Sequence, residues 1–195
     1  PYIAGAPVTE TSMFFGRQDV FDWIEGSLAG KYVDNILVIH GQRRVGKTSV
    51  LKQIPNHLPP RYLQVYLDLQ GRAASSLDRF LWGMSREILR TLRNLTGVTV
   101  STPEQSAFSQ DPDYFHTQFL PGLAPLLQDR LLLLTFDEFD ILSQPETMQT
   151  LGKPLTAYLN RLFELENLNF IFSIGSSGKK LENMQGAYTE FFKAA

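Results

Sequence analysis

Four short apolar runs divide the chain, at residues 36–40, 62–69, 131–136 and 169–174, and helical periodicities fill the intervals between them. The first run, Ile36-Leu37-Val38-Ile39-His40, is β-branched and apolar almost throughout, the pattern of a central parallel strand buried on both faces. Ahead of it, Val20, Phe21, Ile24 and Leu28 share one helical face, with Gly30 as a stop. A second helix over 49–54 should end there, because Pro55 disfavours helix for the residue before it. The clearest helix covers about 77–95. Leu77, Phe80, Leu81, Met84, Ile88, Leu92 and Leu95 form its stripe, Ser75 its cap, and Gly97 lies past its end. Residues 96–112 read as a loop, and 113–129 as two short helices broken at Pro121 and Pro125. Ser143 and Glu146 have the spacing of a capping box, and a helix carrying Leu155, Tyr158, Leu159 and Leu162 should start near Pro154. The tail from Leu181 reads as helical. Strands alternating with helices predict a three-layer α/β fold with a mainly parallel sheet.

Composition narrows the classes. A chain of 195 residues, 43% hydrophobic and 19% charged, suits one α/β domain. The longest apolar run is far too short to span a membrane, and no basic-then-apolar leader opens the chain. With no cysteine, disulfides and thiolate metal sites are excluded, and a cytoplasmic location is expected. A net charge of −2 gives no global attraction for nucleic acid. His40, His57 and His116 are scattered and support no metal cluster; Trp23 and Trp82 fall on helices and read as packing residues.

The chemistry sits between these elements. Gly41-Gln42-Arg43-Arg44-Val45-Gly46-Lys47-Thr48 joins the first strand to a helix and has P-loop spacing. Its glycines let successive backbone N–H groups converge on phosphate oxygens at a helix N-terminus, a cradle that continues to Ser49. Lys47 would reach the β- and γ-phosphates, and Thr48 would ligate Mg²⁺. The third run ends in Asp137-Glu138-Phe139-Asp140. Beside a P-loop, Asp137 would hold the metal and Glu138 would orient a water for attack; alone, both would merely end a strand. Asp140 is either a supporting acid or a solvated loop charge. No Asn/Thr-Lys-x-Asp stretch reads a guanine edge, so the nucleotide is expected to be ATP or ADP. In P-loop ATPases one strand is inserted between the P-loop strand and the acidic one, giving the order 2-3-4-1. The inserted strand here would be 169–174, and Ser176 or Ser177 beyond it would face the γ-phosphate or form a plain Gly-Ser turn.

Together, Phe14-Phe15-Gly16-Arg17, the Gly41–Thr48 loop, the acidic tetrad and Gly175-Ser176-Ser177 resemble the nucleotide-binding domain of STAND ATPases, near the archaeal ATPase and origin-initiator groups of the AAA+ superclass. The resemblance implies that residues 1–195 form a single ATPase domain, of which 1–16 are a lead-in. It further implies that Phe15, Gly16 and Arg17 enclose the base or ribose, and that the nucleotide state governs contacts with other domains and homo-oligomerisation. The family's lid and winged helix are missing from these residues, and no arginine accompanies Ser176. Slow hydrolysis is therefore expected. Arg161 is placed for a trans-acting finger or is a surface charge. A DNA-directed, initiator-like ATPase is the alternative, and the charge does not support it.

Overall fold

Parallel pairing of four strands forms the frame in the computed structural model, which describes residues 16–29, 35–73 and 75–175. Strands β1 (Ile36–Gly41), β2 (Tyr62–Asp68), β3 (Leu131–Asp137) and β4 (Leu168–Gly175) lie in the order β1-β4-β3-β2. That is the expected 2-3-4-1 read from the other edge, with β4 as the inserted strand. Gly41 stands opposite Gly175, and Asp68 opposite Asp137, so the carboxyl ends share one edge of the sheet. The expected lead-in, Phe15, Ser176, Ser177 and the C-terminal helix lie outside the described residues.

Side-chain parity divides the sheet into two cores. Leu132, Leu134 and Phe136 of β3 point into the larger one, with Phe170 and Phe172 of β4 and the apolar face of α3 (Leu77–Thr96). Leu133 and Ile171 point the other way, against α1 (Gln18–Ala29) and α2 (Lys47–His57). Two helical layers thus enclose the sheet. By the same period of two, Thr135 and Asp137 belong to the α1/α2 side. β1 differs from expectation: it is only partly buried, because β4 covers one of its edges and no described strand covers the other.

Proline explains several departures. α2 runs through Pro55 to His57 rather than ending at Ile54. Pro55 has no N–H for the Leu51 carbonyl, and Gln64 Nε2 on β2 donates to that carbonyl instead, at 2.8 Å. Gln64 also reaches Thr135 Oγ1, at 3.1 Å. Elsewhere the chain widens into single π-turns before a proline, at Phe115–Phe119 and Met148–Gly152. In each, the residue preceding the proline donates five residues back: Leu120 to Phe115, Lys153 to Met148. Short helices α5 (Leu120–Gly122) and α6 (Ala124–Leu127) follow the first π-turn, so 113–129 is more broken than the two helices expected.

Other expectations shift at their ends. Within the expected loop 96–112, Gln105–Gln110 forms α4, anchored by buried Phe108. The N-cap position of α3 is Ser76, not Ser75; Gly97 closes the helix in a left-handed conformation, as read. Leu95 is exposed because the core stops at Leu92. Trp23 is likewise largely exposed, whereas Trp82 is half-buried and donates to the Pro103 carbonyl. Ser143 and Glu146 form no capping box: a 3₁₀ turn at Phe139–Ser143 directs Ser143 Oγ to the Asp140 carbonyl, and Gln144 takes the N-cap position of the short α7 (Pro145–Thr147) without a side-chain cap bond. Gly152, just before α8 (Lys153–Leu162), is dictated by close approach, since a Cβ would lie 2.4 Å from the Leu142 carbonyl oxygen.

Gln64→Leu should cost about 1–3 kcal/mol, because it strands the Leu51 carbonyl. In a Pro55→Ala background residue 55 can supply the N–H, so the same change should cost clearly less. Urea denaturation of the four proteins measures the difference, and equal costs in both backgrounds would refute this account of Pro55.

Candidate functional site

The site begins where β1 stops. Gly41 ends the strand, 42–46 turn sharply, and Lys47 opens α2. Arg44 (φ 66°) and Gly46 (φ 94°) both take left-handed conformations, which curl the loop around its own amides. The loop folds so tightly that a Cβ on Gly41 would meet Val45 Cγ2 at 3.0 Å. Lys47 is buried, and its Nζ donates to the carbonyls of Gly41 (2.9 Å) and Gln42 (3.0 Å). Its ammonium is therefore fixed at the loop. Thr48 and Ser49 occupy the first turn of α2, half-buried.

Asp137 ends β3, at the same edge of the sheet as the loop and with β4 between them. It is 2% exposed, and parity puts it on the α2 side of β3. Tyr66 Oη on β2 donates to its Oδ2 at 2.7 Å, while the Glu138 N–H donates to Oδ1 at 3.1 Å. Burial, first, and the hydrogen bond to Asp137, second, push the Tyr66 phenol well above its ordinary pKa, so it remains a donor to the carboxylate.

Glu138 sits in a left-handed conformation (φ 54°, ψ 42°) that an L-residue rarely adopts. Its neighbours impose it. Asp137 is locked in the strand, and Phe139 is fully buried against Phe172, with ring centroids 4.7 Å apart. Glu138 is pinned between two buried residues and turned out of the sheet, strain of the kind that accumulates at working sites. Burial raises the pKa of its carboxyl; Asp140 and Asp137 add to the rise, and Lys47 and Arg43 oppose it. Lys47 and Glu138, from β1–α2 and β3, thus feel one another's charge. Asp140 is neither free nor purely solvated: its Oδ1 accepts the Gly175 N–H at 3.1 Å, tying the acidic turn to the end of β4.

The donor set fits a hard divalent ion. Asp137 offers carboxylate oxygen beside a local excess of negative charge, and Thr48 offers a hydroxyl in the first turn of α2. Among the described residues no group of three or more His, Asp or Glu forms a metal site by itself, so phosphate oxygens would complete the shell. Arg17, also left-handed (φ 64°), donates through Nη2 to the Val45 carbonyl at 2.9 Å, clasping the loop from the start of α1. Gly16 precedes it, exposed. Arg161 is engaged elsewhere: it pairs with Asp113 at 2.6 Å and lies over the Tyr158 ring. Tyr66 escaped sequence reading, because its relation to Asp137 appears only once β2 is known to lie beside β3.

The sequence matches no protein-family model and no curated protein. Solved structures do match. The Walker-type ATPase PABY2304 of Pyrococcus abyssi aligns over 94% of this chain and 51% of its own, with 21% identity and a TM-score of 0.66. The ORC2 protein of Aeropyrum pernix, solved as ADPNP–ADP complexes, aligns over 90% of this chain and 44% of its own, with 17% identity and a TM-score of 0.50. The chain therefore shares the fold of these two structures and spans about half their length. No helix among the described residues is long and apolar enough to cross a membrane.

Tyr66→Phe removes one hydrogen bond to a buried carboxylate and should cost about 1.5–3 kcal/mol in urea denaturation. A loss below about 0.5 kcal/mol would show that the Tyr66 hydroxyl does not hold Asp137.

Proposed function

We propose that this chain is the nucleotide-binding ATPase domain of a larger protein, binding ATP or ADP with Mg²⁺ and hydrolysing ATP slowly. The observation that carries the reading is the convergence of Lys47 and Glu138 at one sheet edge beside buried Asp137. Loop amides and Lys47 would hold the phosphates, with Thr48 and Asp137 on the metal. Bound there, Mg²⁺ would neutralise phosphate charge. Glu138 would orient a water and take its proton as the oxygen attacks the γ-phosphorus and the bond to the β-phosphate breaks. Its raised pKa suits a base. Phe15, Gly16 and Arg17 would border the base or ribose, Arg17 already reaching the loop, and Ser176 would lie near the γ-phosphate.

The STAND-like motifs support a regulatory switch: nucleotide state read by other domains and by further copies of the chain, in a signalling or defence protein of the cytoplasm. No arginine accompanies Ser176 in the sequence to complete transition-state stabilisation, a contribution of about 10³–10⁵ in rate where a finger supplies it. The likeness to an ORC2 protein favours one competing reading, a DNA-directed ATPase. DNA that raises turnover in a salt-dependent manner would decide for it.

Calorimetry should show ADP binding to the wild type and its loss in Lys47→Ala; a wild type stripped of nucleotide that binds neither ADP nor ATP refutes the proposal. Glu138→Gln should keep binding and lower turnover at least ~10²-fold. Because the base must be ionised and its pKa is raised, wild-type turnover should fall on acidification already above the ordinary carboxylate range. That limb should vanish in the residual activity of Glu138→Gln.

A further inference from the structure

On the opposite helical layer from the P-loop, α3 carries Arg86, Arg90 and Arg93 along one exposed edge, spaced one turn apart. With Arg72, from the turn after β2, they line a cleft of about 410 Å³. Only one carboxylate, Glu87, lines it as well, paired with both Arg72 and Arg90. The far wall is the segment after α3, bearing the hydroxyls of Thr99 and Thr102. That wall is fastened to α3 through the Trp82 Nε1 bond to Pro103, 3.0 Å.

Gly83 leaves room for Arg72 against α3. Glycine inside an exposed helix costs about 1 kcal/mol relative to alanine. A Cβ on Gly83 would stand 3.1 Å from Arg72 Nη1, a tight contact to which the tip of the arginine would have to yield by a few tenths of an ångström. The helix gives up a side chain, and a fourth guanidinium enters the cleft.

Four like charges facing one carboxylate repel each other, and an anion with several charges relieves that repulsion. Guanidinium forks match phosphoryl oxygens bidentately, and threonine hydroxyls add donors. The volume suits a small molecule, and two walls suit it better than the flank of a duplex. We propose that this cleft is a second anion site, separate from the P-loop, which takes a small ligand carrying two or more phosphoryl groups.

Tripolyphosphate is the probe, titrated calorimetrically into Lys47→Ala so that the P-loop contributes little. One saturable equivalent is expected. Adding Arg86→Ala, Arg90→Ala and Arg93→Ala should weaken binding at least tenfold, while circular dichroism confirms the fold, since all three residues are exposed. The corresponding triple lysine variant keeps the charge and loses the forks, and it should fall between. Arg86 lies over the Trp82 ring, 4.8 Å from its centroid, so in Trp23→Phe the remaining tryptophan fluorescence should change along the same isotherm. Absence of saturable binding, or binding indifferent to the arginines in both variant sets, overturns the proposal. So does a response reproduced by sodium chloride at matched ionic strength. Tighter, arginine-dependent binding of a DNA oligonucleotide would replace the small ligand with nucleic acid.

Discussion

The site depends on one constraint, the parallel pairing of β1, β4 and β3 at their carboxyl ends. Gly41 is fixed opposite Gly175 by the ladder, and β4 is fixed against β3. No side chain has to search for the others. The loop leaves β1, the acidic turn leaves β3, and Asp140 ties that turn to β4 through the Gly175 N–H. A one-residue slip of β3 would turn Asp137 into the large core beside Phe172 of β4 and turn Leu132, Leu134 and Phe136 out of it. Desolvation of an unpartnered charge makes that register prohibitive. The apolar residues of β3 therefore specify where the acid points.

The same packing explains how a strained residue persists. Glu138 would relax if either flank could move. Phe139 cannot, since it sits in a ring cluster with Phe136 and Phe172, and Asp137 cannot, since Tyr66 grips it from β2. The large core on one face of the sheet and the polar contacts on the other thus hold one backbone conformation between them. The backbone that carries the Glu138 carboxyl is fixed from both sides.

Much of this was legible in the sequence because it is local. Strand–loop–helix order fixed Lys47 at a helix start, and an apolar run ending in Asp-Glu fixed the acids at a strand end. What escaped was set by distant partners. Pro55 should end a helix, yet a glutamine nine residues on, across the chain fold, satisfies the carbonyl that the proline leaves. Tyr66 carries no motif, and its role exists only through the neighbouring strand. Pro121 reads as a break, whereas the chain passes it through a widened turn; the helix expected to start near Pro154 does start there, entered through a second such turn. Leu95 fits the stripe of α3 but outruns the core.

The two faces of the sheet are joined by a short path of backbone bonds. Asp137, in the candidate site, accepts the Leu69 N–H through its carbonyl at 3.2 Å, and the Leu69 carbonyl accepts the Arg72 N–H at 3.0 Å. Arg72 then lies over Gly83 in the arginine cleft. An anion that drew Arg72 further in would act on a turn whose first residue is bonded to the strand end that carries Asp137. Were both proposed ligands to bind, coupling through this turn would be reciprocal: whatever factor the cleft ligand imposed on nucleotide affinity, nucleotide would impose on the cleft ligand. A regulated switch needs an input that is not its own nucleotide. In the switch proposed above, this turn would be the route for such an input, and the P-loop itself would not have to change.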